Sequence, residues 1–350
     1  MKLLESVNKI LFYFHEKKRN DSNLGKVLVV SNTGFGDTLL STPAIKSLRK
    51  SFPDDKIIFL ANRKYSILFA NYKYVDQIWE YSGGYINLFS LIIKCRTNNI
   101  HTIMLFHSNG PEDIFISLCS GAKNILKCTQ NIDHTYKNLF LNQLDNQKKH
   151  NIEKKIDLVR HFKPKLIDTK MSISNDYYHQ APLDFLPTDK KIIGIQIGAQ
   201  DVYKIWPVEN VIKLSLHLIS QDYFVVFFGA TKFEQKMMNE IEQAVNPLSI
   251  CNLVRKTKIS ELPRLLKQLS LLVTNDTGML HLAIAMKVKS LSLFGPTSGK
   301  EFGAYQDINL HHLIQKNGFF VNDKPKKKRT QDGMKLIKVN EVISKIEDIL

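Results

Sequence analysis

The sequence predicts an α/β protein of two similar-sized halves, each built on a parallel sheet. Three observations carry this expectation. Short runs rich in valine, isoleucine and phenylalanine alternate with stretches of helical periodicity along most of the 350 residues. Several of those runs end in a glycine-bearing turn that opens the next helix. Residues 164–190 carry Pro164, Pro182 and Pro187 with little periodicity, and the α/β alternation restarts after them.

The first elements lie in the N-terminal half. In residues 1–25, Leu3, Val7, Ile10 and Phe14 fall on one helical face, with Leu4 and Leu11 beside them and Lys17-Lys18-Arg19 following. Glu5, Asn8 and Lys9 interrupt the apolar residues and no small-residue cleavage site follows, so this is not a cleaved signal. Such a basic amphipathic helix packs on its own domain or lies in a membrane interface. Residues 26–31 (KVLVVS) read as a buried strand, and 38–50 as a helix with Leu39, Leu40, Ala44, Ile45 and Leu48 on its apolar positions. Pro43 fits a first turn better than a helix interior, which leaves the start of this helix open. Residues 56–61 (KIIFLA) give a second strand. Strand, helix, strand in this order implies parallel pairing. The pattern continues with strands at 75–81 and 102–106, helices near 88–98 and 112–119, and a polar stretch from 131 leading into a helix that ends near 162.

In the second half, strands are expected at 191–197, 223–228, 271–274 and 290–294. Helices are expected at 209–219, 233–244, 259–268, 279–286 and 339–350. The chain thus divides into an extension (1–25), an α/β domain (26–175), a linker (176–190), a second α/β domain (191–335) and a closing helical segment (336–350). Two open parallel sheets facing each other would form a central cleft, with ligands at the carboxyl ends of the strands.

Composition bounds the function. There are 49 Lys+Arg against 33 Asp+Glu, a formal charge of +16. Such a field favours an anionic partner: nucleic acid, a membrane surface or a phosphorylated substrate. Basic and aromatic residues are not interleaved as in an RNA-binding module, so nucleic acid is the weakest of the three. Cys95, Cys119, Cys128 and Cys251 form no CxxC pair, which argues against a zinc site or a disulfide framework and fits a reducing cytoplasm. No apolar stretch is long enough to span a bilayer. The basic run 324–329 reads as a solvated loop, or secondarily as a contact for an anionic surface.

The most informative stretch is 271–281 (LLVTNDTGMLH): a strand, a polar turn with Gly278, then a helix. Free N–H groups at a helix start form an anion site, and Asp276, Thr277 and His281 bring hydrogen-bonding side chains to the same mouth. An ordinary helix cap explains the same residues. Several short matches fail. Gly34-Phe35-Gly36 has Leu39 where a dinucleotide fingerprint needs its third glycine. The run 295–300 is one residue short of a P-loop, and Glu301 stands where Ser or Thr is required. Asp276-Thr277-Gly278 has no second copy with which to build an aspartic-protease pair.

What holds is an ordered set. Gly34-Phe35-Gly36-Asp37-Thr38 runs on to Pro43. Gly198-Ala199 precedes Lys204-Ile205-Trp206-Pro207. Then come Gly229-Ala230 with Glu234, Asp276-Thr277-Gly278 with His281, and Gly295-Pro296-Thr297. From about residue 26 to the final helix this ensemble resembles the ADP-heptose:lipopolysaccharide heptosyltransferases, glycosyltransferase family 9. The resemblance implies a GT-B architecture, with the acceptor on the first Rossmann-like domain and the nucleotide-sugar on the second. It implies an inverting transfer of heptose from ADP-heptose to an anionic lipopolysaccharide inner-core (lipid A–core) acceptor. No metal or other cofactor is expected, and the setting is the cytoplasmic face of the inner membrane, with peripheral contact. A related sugar nucleotide or glycan acceptor, or a non-catalytic nucleotide-sugar-binding protein, are the alternatives.

An in-line displacement needs a base at the acceptor hydroxyl and positive charge at the departing diphosphate. The resemblance assigns the base to Asp37, with Gly34, Gly36 and Thr38 as the acceptor-side loop. A helix cap is the plainer role for Asp37. Lys204 matches the lysine that meets the donor phosphates. Thr277 and Gly278 would donate to the diphosphate, Asp276 would bind donor-sugar hydroxyls, His281 would assist the leaving group or hold the turn, and Glu234 would accept from a ribose. The sequence departs from the family pattern in residues 1–25, in Ser298-Gly299 after the 295–297 turn, and in 334–337, where a cysteine motif is often found.

Overall fold

The computed structural model describes residues 6, 7, 9, 11, 23–107, 111–128, 149–317 and 329–350. The chain forms two compact units, Met1–Ser174 and Asn175–Leu350. The N-terminal unit contains strands Val27–Ser31 (β1), Ile57–Asn62 (β2), Gln77–Tyr81 (β3), Thr102–His107 (β4) and Asn124–Lys127 (β5), with helices Phe35–Ser51 (α1), Tyr85–Thr97 (α2), Pro111–Cys119 (α3) and Asn151–Arg160 (α4). Its strands pair in parallel in the order β3-β2-β1-β4-β5.

The C-terminal unit runs Ile192–Gln196 (β6), Val208–Ser220 (α5), Phe224–Phe228 (β7), Lys232–Ala244 (α6), Ile250–Asn252 (β8), Leu262–Lys267 (α7), Leu271–Asn275 (β9), Gly278–Ala285 (α8), Ser290–Phe294 (β10), Gly299–Phe302 (α9), His311–Gln315 (β11), Asp332–Lys335 (α10) and Val339–Ile349 (α11). Its parallel sheet has the order β11-β10-β9-β6-β7-β8. Counted from its own first strand, each sheet follows the doubly wound order, 3-2-1-4-5 in the first and 3-2-1-4-5-6 in the second. In such a sheet the order reverses beside the first strand. The crevice lies there, at β1/β4 and at β6/β9.

The sequence explains the central strands. β1, β9 and β10 are buried at every position, as expected of strands covered on both faces. One face of the first sheet packs Leu28, Val30, Ile58 and Leu60 against Leu88, Leu91 and Ile92 of α2 and Phe115 and Ile116 of α3. Val7 and Leu11 pack on this same cluster, and the described part of the N-terminal helix rests on its own unit. The other members of its apolar face, Leu3, Leu4, Ile10 and Phe14, lie outside the described residues. In the second unit, Val342 and Ile346 of α11 join Ile193, Ile195, Val273, Leu291 and Trp206 in one core.

Three details differ from the sequence reading. First, α1 begins at Phe35 and carries Pro43 in its interior. A proline there leaves the carbonyl four residues back without its donor. Thr42 Oγ1 supplies the donor, reaching Leu39 O at 2.7 Å. Second, the edge strands β5 (NILK), β8 (ICN) and β11 (HHLIQ) escaped the pattern, being short and mixed in polarity. Third, residues 164–190 are fastened along their length. Ser51 Oγ donates to Leu166 O at 2.9 Å, Asp168 pairs with Lys46 and Lys50, and Ser172 N donates to Thr42 Oγ1 at 3.1 Å. Beyond Ser174 the stretch is bound to the second unit. Arg264 Nε donates to Ala181 O at 2.8 Å, and Lys267 Nζ to Tyr178 O at 2.6 Å.

Candidate functional site

Each unit offers a candidate site at its crevice. In the N-terminal unit the turn after β1 runs straight into α1, so Asp37 stands in the first helical turn. The carboxylate is not used as a cap. The N-cap is Gly34, and Thr38 closes the turn by donating its N–H to Gly34 O at 3.0 Å and its hydroxyl to the same oxygen at 2.9 Å. Asp37's backbone carbonyl is held by Ser41 Oγ at 2.8 Å and Ser31 Oγ at 3.3 Å. Its side chain, 26 % exposed, meets His107 Nε2 at 3.3 Å. His107 is the last residue of β4, and its Nδ1 contacts Thr33 Oγ1. Burial pushes the His107 imidazole below its ordinary value, and Lys155 and Lys127 add to this, while Asp37 pulls the other way.

Of the expected acceptor-side residues, only Gly34 belongs to the loop, because α1 starts two residues before Asp37. Gly36 lies in the first turn. Thr38 is fully buried, with its hydroxyl turned onto backbone oxygens, so it shapes the turn from behind and does not face the crevice. A methyl group at Gly34 would stand 2.8 Å from Asp37 Oδ2, so the glycine leaves the carboxylate its place.

In the C-terminal unit, Lys204 ends a short 3-10 turn and its Nζ donates to Asp276 Oδ2 at 2.7 Å. Burial works to lower the Lys204 ammonium, but the charge and hydrogen bond of Asp276, helped by Tyr203 and Asp201, outweigh it and raise its pKa. Lys204 therefore stays charged. Asp276 leads into Thr277, the N-cap of α8, and Gly278, its first residue. Thr277 makes no side-chain cap; its hydroxyl lies 3.2 Å from Thr274 Oγ1. Asn275 Nδ2 donates to Gly198 O at 3.2 Å and ties the turn after β9 to the turn after β6. His281, 3 % exposed, is packed into the first turns of α8.

Glu234 is buried in the same neighbourhood, with a local task. Its Oε2 accepts from Ala230 N and Thr231 N, both at 2.6 Å, and Thr231 Oγ1 accepts from Glu234 N at 3.1 Å, a reciprocal capping box. Oε1 lies 3.4 Å from Gln196 Nε2. Gly198 runs so close to this carboxylate that a Cβ there would collide with Oε1.

The structure thus joins Lys204 with Asp276, and Gly198 with both Glu234 and Asn275. Two contributors escaped the sequence reading. His107 ended a strand, and its only signal was that strand's carboxyl end. Arg329 belonged to the basic run read as a solvated loop; it folds back, donating to Tyr203 Oη at 2.9 Å with its guanidinium over that ring. Tyr203 Oη in turn donates to Asp201 at 2.9 Å, so a chain of contacts braces the Lys204 turn. Residues 324–328 of that run lie outside the described residues.

Comparison with known proteins shows the family. The model of glycosyltransferase family 9 (heptosyltransferase) matches residues 117–331, more than half of the chain. The chain belongs to glycosyltransferase family 9. It is accordingly a glycosyltransferase, with two doubly wound units of the GT-B class. It is 28 % identical over 300 residues to lipooligosaccharide heptosyltransferase 2 of Campylobacter jejuni, covering 82 % of this chain and 87 % of that protein. Among solved structures it is similar to the family 9 glycosyltransferase of Veillonella parvula, with a TM-score of 0.77, 20 % identity and coverage of 95 % and 99 % of the two chains. It is also similar to the ADP-heptose lps heptosyltransferase II of E. coli, with a TM-score of 0.74, 20 % identity and coverage of 93 % and 98 %.

Proposed function

We propose that this family 9 enzyme is an inverting heptosyltransferase that moves heptose from ADP-heptose to a lipopolysaccharide inner-core acceptor. The observation that carries the reading is the Lys204–Asp276 pair, 2.7 Å apart, beside the Thr277-Gly278 helix start. A cation and unpaired helical N–H groups together suit a departing diphosphate. The names of the relatives supply the sugar and the acceptor class. Lys204 neutralises the phosphates, Asp276 holds Lys204 in place, and Thr277 and Gly278 donate to phosphate oxygens. Glu234 has part of Oε1 to offer a ribose hydroxyl. Asp37 takes the proton of the acceptor hydroxyl as that oxygen attacks the anomeric carbon, and ADP leaves with the electron pair of the breaking C–O bond. Leaving-group charge is met by side chains and N–H groups, so transfer is expected to persist in EDTA.

The acceptor is anionic, and the +16 formal charge favours its approach to the cytoplasmic face of the inner membrane. Peripheral contact is best supported at α2. Tyr85, Ile86, Phe89 and Ile93 are exposed on that helix, Ile86 at 87 %, beside exposed Lys94 and Arg96. Glutamate at Ile86 and Phe89 should reduce co-sedimentation with anionic vesicles; unchanged binding would remove α2 as the contact.

The function is tested by incubating the protein with a panel of nucleotide-sugars and heptose-deficient lipopolysaccharide acceptors. Transfer from ADP-heptose, insensitive to EDTA, is the expected result. Transfer from another donor alone would reassign the sugar, and no transfer from any would leave a binding protein.

A further inference from the structure

The reaction as written uses Asp37 and leaves its neighbour without a role. We propose that His107 is a positioning residue: anchored by Thr33, it donates its Nε2–H to one oxygen of Asp37 and leaves the other for the acceptor hydroxyl. This rests on the reading of Asp37 as the base.

The geometry carries it. His107 Nε2 stands 3.3 Å from Asp37 Oδ1, and because a carboxylate only accepts, a hydrogen bond between them puts the proton on Nε2. Nδ1 is then a lone pair, and the Thr33 hydroxyl in contact with it is the donor that suits it. A neutral imidazole with its proton on Nε2 suits both contacts at once. The titratable and charged groups facing the ring agree with that state: Lys155 of α4 and Lys127 at the end of β5 oppose a second positive charge, with Asp37 alone favouring it. Lys127 is itself paired with Asp113 of α3.

The backbone is built for this contact as well. β1 and β4 pair in register from Val27 with Thr102 to Val30 with Leu105, and then the register shifts so that Ser31 faces His107. Phe106 is the extra residue. A bulge of this kind re-aims the side chain that follows it. Ser31 in turn holds the backbone of Asp37 and accepts from Ser41 Oγ at 2.9 Å. The shift therefore brings His107 to the strand end whose hydroxyl already fixes Asp37. On the opposite side, Gly34 leaves room for Oδ2, where a Cβ would stand only 2.8 Å away, while Oδ1 is the oxygen nearest His107.

In the reaction the acceptor O–H bond breaks, its proton goes to Asp37 Oδ2, and the new glycosidic C–O bond forms as the bond to ADP breaks. His107 neither gains nor loses a proton; it fixes the carboxylate's rotation. A misplacement of about 1 Å at a reacting group can cost on the order of 100-fold in rate.

The test uses the full chain, ADP-heptose and a heptose-deficient lipopolysaccharide acceptor, with His107→Ala, His107→Gln, Thr33→Val and Asp37→Asn. His107→Ala should lower kcat roughly 10–100-fold with the donor KM unchanged, and His107→Gln, whose amide can still donate to Asp37, should recover most of it. Thr33→Val should lower kcat in the same direction by less, and it serves if His107→Ala fails to fold. Wild-type kcat in His107→Ala, or His107→Gln as slow as His107→Ala, overturns the proposal while an inactive Asp37→Asn keeps Asp37 as the base. An active Asp37→Asn overturns both. Independently of turnover, ¹⁵N-imidazole NMR at pH 7 should show the Nε2–H tautomer for His107; the Nδ1–H tautomer contradicts the arrangement.

Discussion

Gly34 has no side chain, and the Asp37 carboxylate lies where one would be. Gly34→Ala should push the carboxylate aside and lower kcat roughly 10–100-fold, since displacements of about 1 Å carry such penalties, while donor affinity is retained. Steady-state kinetics with both substrates varied checks this. The Lys204–Asp276 pair makes a different demand. Asp276 has a side chain only 6 % exposed, so removing its cation strands a buried charge. Lys204→Met should cost about 3 kcal/mol in urea unfolding as well as donor affinity, and adding Asp276→Asn should return part of the stability. Additive losses would mean that the two residues do not couple. Asp37 and Lys204 were legible from ordered motifs. His107 was not, because a lone histidine at a strand end has no pattern until the strand order puts β4 beside β1.

At the scale of elements, α1 shows how a local rule is met by a neighbour. Pro43 inside the helix costs a hydrogen bond, and Thr42 replaces it while also accepting from Ser172 N. Thr42→Val removes both bonds at a fully buried position and should destabilise the protein by about 2–3 kcal/mol, read from urea or thermal unfolding. A loss within experimental scatter would show that the helix tolerates the open carbonyl. The helix start was misplaced in the sequence because Gly34 and Gly36 read as loop and Pro43 as a first turn, whereas the serines and threonines behind the turn carry the helix back to Phe35. The edge strands were missed for a related reason. In β5, Asn124 is fully buried and donates to Asn23 O at 2.9 Å, and in β11 His311 Nδ1 lies 2.9 Å from Ser290 Oγ. Polar residues whose partners lie far along the chain do not look apolar in sequence. The central strands β1, β6, β9 and β10 are dominated by valine, isoleucine, leucine and phenylalanine and were plain.

Across the whole molecule, His107, His161, His311 and His312 are each held below the ordinary histidine value of 6.5, in every case first by burial. His311 is pushed down to about 4. The unfolded chain therefore takes up protons before the folded one does. The contribution of these histidines is complete above pH 6.5 and is lost as pH falls toward the folded values, with His311 accounting for on the order of 3 kcal/mol between 6.5 and 4. Urea unfolding from pH 7 to 4 should show this decline, and His311→Gln should flatten it; an unchanged slope would place the loss elsewhere. The same strand order in both units puts a candidate site beside each sheet's first strand, Asp37 in one and Lys204 with Asp276 in the other. That separation is tested most directly by measuring ADP-heptose affinity and transfer side by side for Asp37→Asn and Lys204→Met. Asp37→Asn should bind the donor as the wild type does and fail to transfer, and Lys204→Met should lose donor affinity. Donor binding lost with Asp37→Asn, or retained with Lys204→Met, would contradict the division of roles.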